Sequence, residues 1–483
     1  LFDGSGAFCL AAERHGIEAR YASEIEPFPI AVTRARFPRM EHLGDIAKID
    51  GGTIEPCELV TFGSPCTSWS ISGKKLGLDG VSGLFFEAVR VMREMLAASG
   101  EAWPAAFIFE NVPHLLHINN GADWKIVMDA FSDLGFICDP NILDSQEFGI
   151  AQRRKRIFIV GINRKHYNPG YFANIPNSRH KRMQKAIEAW GGETFHGITS
   201  RLHEIRRQHL SEILEQDVDP KYYLSAAACL GILRRVDAKG KEIPQLLRSA
   251  LEYQAGLFPA YDAGGEVCSF EPGALARLPG HCWDGVSPTL RAGTHGGDNQ
   301  PSVAYGISSL SSYAMNSANP RAGVYETDTA KTLNTSAQVP SNQGGLVVCT
   351  ETYAMTTGSY AHAYKGQAPT LLSRDFKGQP VVARPPDYVA RRLTPTECLA
   401  LMNLPQTWCE GIAVENPTEE DYLFWEGVFN TLGKKKSRKQ IARWLANPYS
   451  DSACFKMAGN GVVVAVAQWV LEGVVEYAQS LGL

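Results

Sequence analysis

Hydrophobic positions follow two alternating textures in the first third of the chain. Short apolar runs, ELVTFG at 58–63 and AAFIFENV at 105–112, end in turn-forming or polar residues and read as strands. Between and after them, SGLFFEAVRVMREML at 82–96 and DWKIVMDAFSDLG at 123–135 carry apolar residues at helical spacing. Strands alternating with helices predict an α/β fold, a mostly parallel, doubly wound sheet with helices on both faces. Ligands in such folds bind beyond the carboxyl ends of the strands.

The texture then changes. SRLHEIRRQHLSEILE (200–215) and AACLGILRRV (227–236) predict helices. From about 256 to 385 the chain is rich in Gly, Ser, Thr, Asn and Pro, and a weak repeat recurs there. SPTLRAGTHGGDNQPSVAYG, AKTLNTSAQVPSNQGGLVV and APTLLSRDFKGQPVV each hold Thr-Leu, a polar loop and a short β-type run. SYAMNS and TYAMTT also recur. This region reads as short strands joined by long polar loops. TPTECLALMNLP returns to helix, residues 415–448 read as two helices around a basic turn, and 454–479 read as a Gly-Asn-Gly turn opening an apolar helix.

Composition adjusts this picture little. The 483 residues suggest two domains or three, and 44% hydrophobic with 20% charged residues is ordinary for a globular protein. The net charge of -4 gives no global field for a polyanion, but residues 151–190 hold ten Lys or Arg against one acid, Glu188. Eleven cysteines without a CxxC pair argue against a disulfide framework or a zinc ribbon and favour a reducing, cytoplasmic setting. No run of eighteen apolar residues marks a membrane span. Leu1 stands inside an expected strand without an initiator Met, so residues are expected to precede it.

The chemistry-bearing motifs lie at expected strand ends. In LFDGSGAF (1–8), Gly4 and Gly6 let a backbone approach a dinucleotide or a nucleoside, or simply turn. Glu24, in SEIE, stands where an acid can hold ribose hydroxyls, with Ile25 beside it to cover an adenine face. Asp45, in GDI, can accept from an adenine amino group. In GSPC, Cys66 follows the run ELVTF and is open to three readings: packing, metal ligation or nucleophilic attack. Glu110, in ENV, should share its sheet edge, and a thiol beside a carboxyl suggests a nucleophile with an acid. Gln152, Arg154 and Arg156, in QRRKR, precede another strand and can clamp an anion or a polar base edge. An NAD-linked oxidoreductase explains the glycines but gives no role to SPC or ENV.

In order, LFDGSGAF, SEIE, GDI, GSPC, SGLFFEAVR, ENV, QRRKR, RRLTPTECLALMNLP and MAGNG resemble the cytosine-C5 DNA methyltransferases of bacteria and phages. The resemblance covers 1–165 and about 390–470. It implies a Rossmann-like catalytic domain at 1–175, completed by 445–483. It also implies a β-rich target-recognition domain at 176–444 that includes the ninth motif and a helical insertion. The implied cofactor is S-adenosylmethionine, leaving as S-adenosylhomocysteine. Its expected contacts are Phe2, Gly4, Gly6, Phe8, Glu24, Ile25, Asp45, Ile46, Pro65, Asn460 and Gly461. Cys66 is the implied nucleophile and Glu110 the proton donor, with Gln152, Arg154 and Arg156 beside them and no metal.

Double-stranded DNA is the implied partner. Ser70, Lys74, Lys75, Thr370 and Arg374 are expected to contact it, with further support from the basic segment 151–190. Thr289 and Thr332 compete with Thr370 for the family's Thr-Leu element. The chain departs from the family pattern in Thr67, where Gln is usual, and in Gly459-Asn460-Gly461, where Gly-Asn-Ser is usual. The second departure puts one hydroxyl contact to the cofactor in question. A monomer is expected, nucleoid-associated in a bacterial or phage-infected cell, with a role in restriction–modification beside a cognate endonuclease or in phage self-protection. An RNA substrate and a catalytically silent binder are the alternatives.

Overall fold

The computed structural model describes residues 1–64, 82–215, 217–238, 245–257 and 391–483, together with five short strands between 267 and 382. Two strands, β1 (Tyr21–Ala22) and β2 (Glu41–His42), pair in parallel. Four more, β3 (Leu59–Phe62), β4 (Ala106–Asn111), β5 (Phe136–Asp144) and β6 (Lys155–Asn163), form a sheet in the order β3-β4-β6-β5. The first residues of the chain bridge the two sheets. The Leu1 nitrogen donates to Thr61 O at 2.7 Å, and Asp3 N donates to Ser23 O at 3.0 Å.

The helices in this part of the chain are α1 (Ala7–Glu13), α2 (Pro27–Arg36), α3 (Ser82–Ala98) and α4 (Ala122–Asp133), the last two at the stretches whose spacing predicts them. Later come Ala226–Asp237, Pro395–Leu401, Glu419–Thr431 and Arg438–Ala446. The Gly-Asn-Gly stretch closes a helix, Asp451–Asn460, before it opens the last one, Val464–Leu481. Residues 451–481 have the length and hydropathy of a membrane span, but most of that apolar surface is buried within the protein.

The central strands bury both faces. On β4, Phe107 and Phe109 join an aromatic core with Phe62, Phe85 and Phe131, while Ala106 and Ile108 face the opposite core with α1 and the last helix. On β6, Ile157 and Ile159 take the first side and Phe158, Val160 and Ile162 the second. This period-two alternation appears in the sequence only as a continuous apolar run.

Two expectations need correction. The sheet is mixed rather than mostly parallel: β3 and β4 run parallel, but β6 is antiparallel to both β4 and β5. Only ten residues separate β5 from β6, too few for the helical crossover that a parallel pair needs. Residues 200–215 are not a long helix, since only Leu210–Glu212 forms a 3-10 turn. Leu202 and Ile205, which a packed helix would bury, are 67% and 59% exposed. The stretch instead runs beside Glu147–Gly149, with Arg206 N donating to Glu147 O and Gly149 N to Arg206 O.

In the Gly- and Ser-rich region, Tyr353–Met355, Ala363–Lys365 and Val381–Val382 join Arg391–Arg392 in an antiparallel sheet, and Val267–Phe270 pairs with Ser302–Tyr305. Ser302–Tyr305 and Val381–Val382 are the β-type runs of the first and third repeat copies. The β-type run of the second copy lies outside the described residues.

Candidate active site

Two groups of side chains gather where the strands end. The first surrounds the Gly4–Gly6 turn. Gly4 and Gly6 have φ of 55° and 71°, in the left-handed region that favours glycine. A Cβ on Gly6 would also meet Thr33 Cγ2 at 2.8 Å. Glu24 locks this turn to the end of β1. Its Oε2 accepts from Gly4 N at 2.9 Å, and its Oε1 accepts from Ile25 N at 2.7 Å and Glu26 N at 2.9 Å. Burial pushes the Glu24 carboxyl above its ordinary value, against these three amide donors.

Ile25 is 39% exposed beside it. After β2, Asp45 caps the short turn Ile46–Lys48 by accepting from Ala47 N, and Ile46 is buried. Arg90, on α3, holds this turn by donating to Ile46 O at 2.9 Å and Ile49 O at 2.7 Å. Phe2 and Phe8 are half-buried and pack against the two opposite cores.

Gly461 closes the group from the far end of the sequence. It is buried, whereas the neighbouring Asn460 is exposed. Arg154 Nη2 donates to Gly461 O at 2.8 Å and lies 3.4 Å from Gly459 O. On the other side of the turn, Trp408 Nε1 donates to Ser5 O at 2.9 Å. Trp408 lies outside the motifs, and Arg90, although it ends SGLFFEAVR, is not among the site residues expected from the sequence.

The second group lies at the ends of β3 and β4. Glu110 is one residue from the end of β4, and a Cβ on Gly63 would stand 3.2 Å from its Oε2. Asn111 Nδ2 lies 3.3 Å from both Ser64 O and Ser64 Oγ, so the chain leading toward Cys66 is clasped to β4. Arg156 Nε stands 3.0 Å from Glu110 Oε1 but off the line of a hydrogen bond, leaving that buried oxygen without a hydrogen-bond partner among the described residues. Burial raises the Glu110 carboxyl above its ordinary value, and the charges of Arg156 and Arg154 oppose the rise.

QRRKR therefore divides its work. Arg156 faces Glu110 and Arg154 faces the Gly459–Gly461 backbone, while Gln152 Nε2 donates to Leu401 O at 3.1 Å. Pro65, Cys66, Ser70, Lys74, Lys75, Thr370 and Arg374 lie outside the described residues, as do Thr289 and Thr332.

The arrangement sets a glycine turn, pinned by the Glu24 carboxylate, and a buried Glu110 carboxyl on either side of the neighbouring Arg154 and Arg156. A family description, C-5 cytosine-specific DNA methylase, matches residues 1–417. An orphan methyltransferase of Bacillus phage rho11s, M.Rho11sI, is 31% identical over 250 residues, covering 50% of this chain and 48% of that protein. The type II methyltransferase M1.ScrFI of Lactococcus lactis subsp. cremoris is 30% identical over 237 residues, covering 49% of this chain and 52% of the relative. The chain thus spans about half the length of the curated relatives it matches. The crystal structure of the S. pombe Dnmt2 methyltransferase aligns over 100% of this chain and 98% of its own, with 12% identity and a TM-score of 0.44. With the family description matched over most of its length, the chain belongs to the C-5 cytosine-specific DNA methylases.

Proposed function

We propose that the chain transfers a methyl group from S-adenosylmethionine to carbon 5 of a cytosine flipped out of duplex DNA. The observation that carries this reading is Glu110: a buried carboxyl, raised in pKa, beside the Gly63–Ser64 segment that leads to Cys66. The residues present fit the cofactor. Glu24 suits a ribose, Ile25 an adenine face and Asp45 an adenine amino group, while Ser5 Oγ and Asp3 Oδ2 are buried without hydrogen-bond partners among the described residues. The cofactor supplies an electrophilic methyl group.

The chain's residues do the rest. Carbon 5 of cytosine is a poor nucleophile until the ring is activated. The Cys66 thiolate adds to carbon 6 while Glu110 holds a proton at ring N3, so negative charge does not build up on the base. Carbon 5 of the resulting enamine accepts the methyl group. Loss of the carbon 5 proton and expulsion of the Cys66 thiolate then restore aromaticity. Arg156 keeps Glu110 oriented, and its charge with that of Arg154 limits how far burial raises the carboxyl. Extrusion of the base costs roughly a few kcal/mol, offset by contacts to the flipped nucleotide. Phosphate contacts supply affinity, and contacts to base edges supply sequence choice. The biological setting that fits is restriction–modification or phage self-protection.

The test is a duplex carrying 5-fluorocytosine, on which the fluorine blocks the last elimination. A denaturant-stable adduct that needs S-adenosylmethionine, and is lost in Cys66→Ala, is expected. Failure to form it, by protein that is folded and binds S-adenosylhomocysteine, overturns the reading.

A further inference from the structure

Two thiols meet where the turn carrying Trp408 packs on the helix Asp451–Asn460, and the methyl-transfer reading gives them no role. Cys409 Sγ and Cys454 Sγ are 3.6 Å apart, although 45 positions separate them along the chain. Cys409 follows Trp408 in the turn, and Cys454 lies near the start of the helix. Both backbones are anchored. Arg36, on α2, donates to Trp408 O at 2.9 Å, Thr407 O at 2.7 Å and Glu410 O at 2.5 Å, and Cys454 N donates to Ser450 O at 3.0 Å. The fold therefore holds the sulfurs together, and the remaining approach to the roughly 2 Å of a disulfide falls to the side chains.

A cavity of about 340 Å³ opens onto the pair. Its lining runs from exposed Gln406, Glu410 and Tyr449 to buried Leu399, Cys409 and Cys454. Cys409 is 4% exposed and Cys454 0%, so a small oxidant entering the cavity reaches the Cys409 sulfur first. The Cys454 thiol is pushed well above its ordinary value, first by its hydrogen bond with Cys409 and then by burial, and it keeps its proton. A buried cysteine without a neighbour is an inert packing residue. Here the second sulfur stands at contact distance, ready to react with an oxidised first one.

We infer that Cys409 and Cys454 form a peroxide-reactive dithiol, in which oxidation of Cys409 is followed by closure of a disulfide to Cys454. The Cys409 sulfur attacks one oxygen of hydrogen peroxide, the O–O bond breaks, and a sulfenic acid and water form. The Cys454 sulfur then attacks the Cys409 sulfur, the S–O bond breaks, and the departing hydroxide takes the Cys454 proton as water. Two thiols and one peroxide thus give one disulfide and two waters. The bond closes a loop around the helices Glu419–Thr431 and Arg438–Ala446 and ties the Trp408 turn to the helix that ends at Asn460. In a reducing compartment such a bond is transient, and thiol exchange reverses it.

The test is peptide mapping, without reductant, of the full folded chain after treatment with hydrogen peroxide, the remaining thiols being alkylated before digestion. The expected product is a pair of peptides joined through Cys409 and Cys454, lighter than their sum by two hydrogens and separated again by dithiothreitol. Dimedone, which traps sulfenic acids, is expected to label Cys409 in Cys454→Ala and to leave Cys454 unlabelled in Cys409→Ala. The parent chain alone decides the pairing, so a variant that fails to fold does not shelter the inference, and Cys454→Ser replaces Cys454→Ala in that case. The inference is overturned if peroxide that oxidises the thiols of the urea-unfolded chain yields no joined peptide in the folded one. A joined peptide that forms only in urea, or a bond from either cysteine to Cys398 instead, also overturns it. Dimedone on Cys454 in place of Cys409 overturns the order of attack.

Discussion

Replacing Glu397 with Gln isolates one buried charge at a junction of the fold. Glu397 is 0% exposed and Arg391 is 4% exposed. Arg391 Nη2 donates to Glu397 Oε1 at 2.8 Å and Nη1 to Oε2 at 3.0 Å, a bidentate pair. The same carboxylate accepts from Thr394 N at 2.8 Å, completing a capping box on the helix Pro395–Leu401, and from Glu215 N at 2.9 Å. Gln serves a capping box as well as Glu, so its carbonyl oxygen can keep the Thr394 bond. Its amide then faces Arg391 and Glu215 N, donor against donor.

Breaking a buried pair by removing one charge costs about 3–5 kcal/mol, because the remaining charge stays buried without the carboxylate that faced it. That is a fifth or more of the roughly 5–15 kcal/mol that holds a domain folded. Urea unfolding followed by tryptophan fluorescence should show a lower midpoint at unchanged slope. Adding Arg391→Met removes the second charge of the pair, so the double variant should cost less than the sum of the two single variants. A Glu397→Gln variant within about 1 kcal/mol of the parent would show that the pair is solvated and refute the reasoning.

Four further outcomes follow from the same structure. The raised Glu110 carboxyl binds its proton more tightly in the folded chain, so its contribution to stability is complete below the ordinary carboxylate value and is lost as pH rises through the raised one; Glu110→Gln should flatten that part of the profile of urea midpoint against pH, and an unaltered profile counts against it. His42 behaves oppositely, since burial and then Arg34 lower it to about 4. Stability present above its ordinary value should fall by roughly 3 kcal/mol as pH drops through 4, and His42→Gln should remove most of that loss. Gly161 pairs with Phe107 across β6 and β4, and a Cβ there would stand 2.1 Å from the Phe107 ring, so Gly161→Ala should lower the melting midpoint by the equivalent of about 1–3 kcal/mol or prevent folding. Asn111→Ala should slow fluorocytosine adduct formation with an unchanged Kd for S-adenosylhomocysteine, because it releases Ser64 without touching the Gly4–Gly6 turn; a parallel loss of both would assign Asn111 to the fold as a whole.

Elements with a local cause were legible in the sequence. The strand Leu59–Phe62, the helix Ser82–Ala98 and the capped helix Pro395–Leu401 follow from spacing and caps alone. Glu24 and Glu110 were legible as acids just beyond or at the ends of strands. The antiparallel placement of β6 was not, since a buried strand reads the same in either direction. Residues 200–215 misled because the apolar spacing in that stretch is helical although Leu202 and Ile205 find no surface to bury. Ser5 was visible only as a letter inside a glycine-rich turn. The contact between its hydroxyl and Gly461, from the far end of the sequence, appears only in the fold.

The basic segment 151–190 shows how topology reassigns charge. By composition it is a surface for a polyanion. In the fold, acids from outside the segment answer half of it: Asp144 lies 3.5 Å from Arg153 and 3.8 Å from Lys155, Glu110 stands beside Arg156, Asp139 beside Arg179 at 2.8 Å, and Glu193 beside Arg164 at 2.7 Å. Arg154 and Lys165 donate to backbone carbonyls. Lys181, Arg182 and Lys185 remain exposed on the helix Lys181–Trp190. If all three met phosphates, they would contribute a slope of only about −3 to the dependence of log affinity on log salt, whereas the ten cations counted along the sequence would give about −9. A steep salt dependence of duplex binding would therefore have to draw on charges elsewhere on the chain, because Asp139, Asp144 and Glu110 have already bound this segment to the sheet.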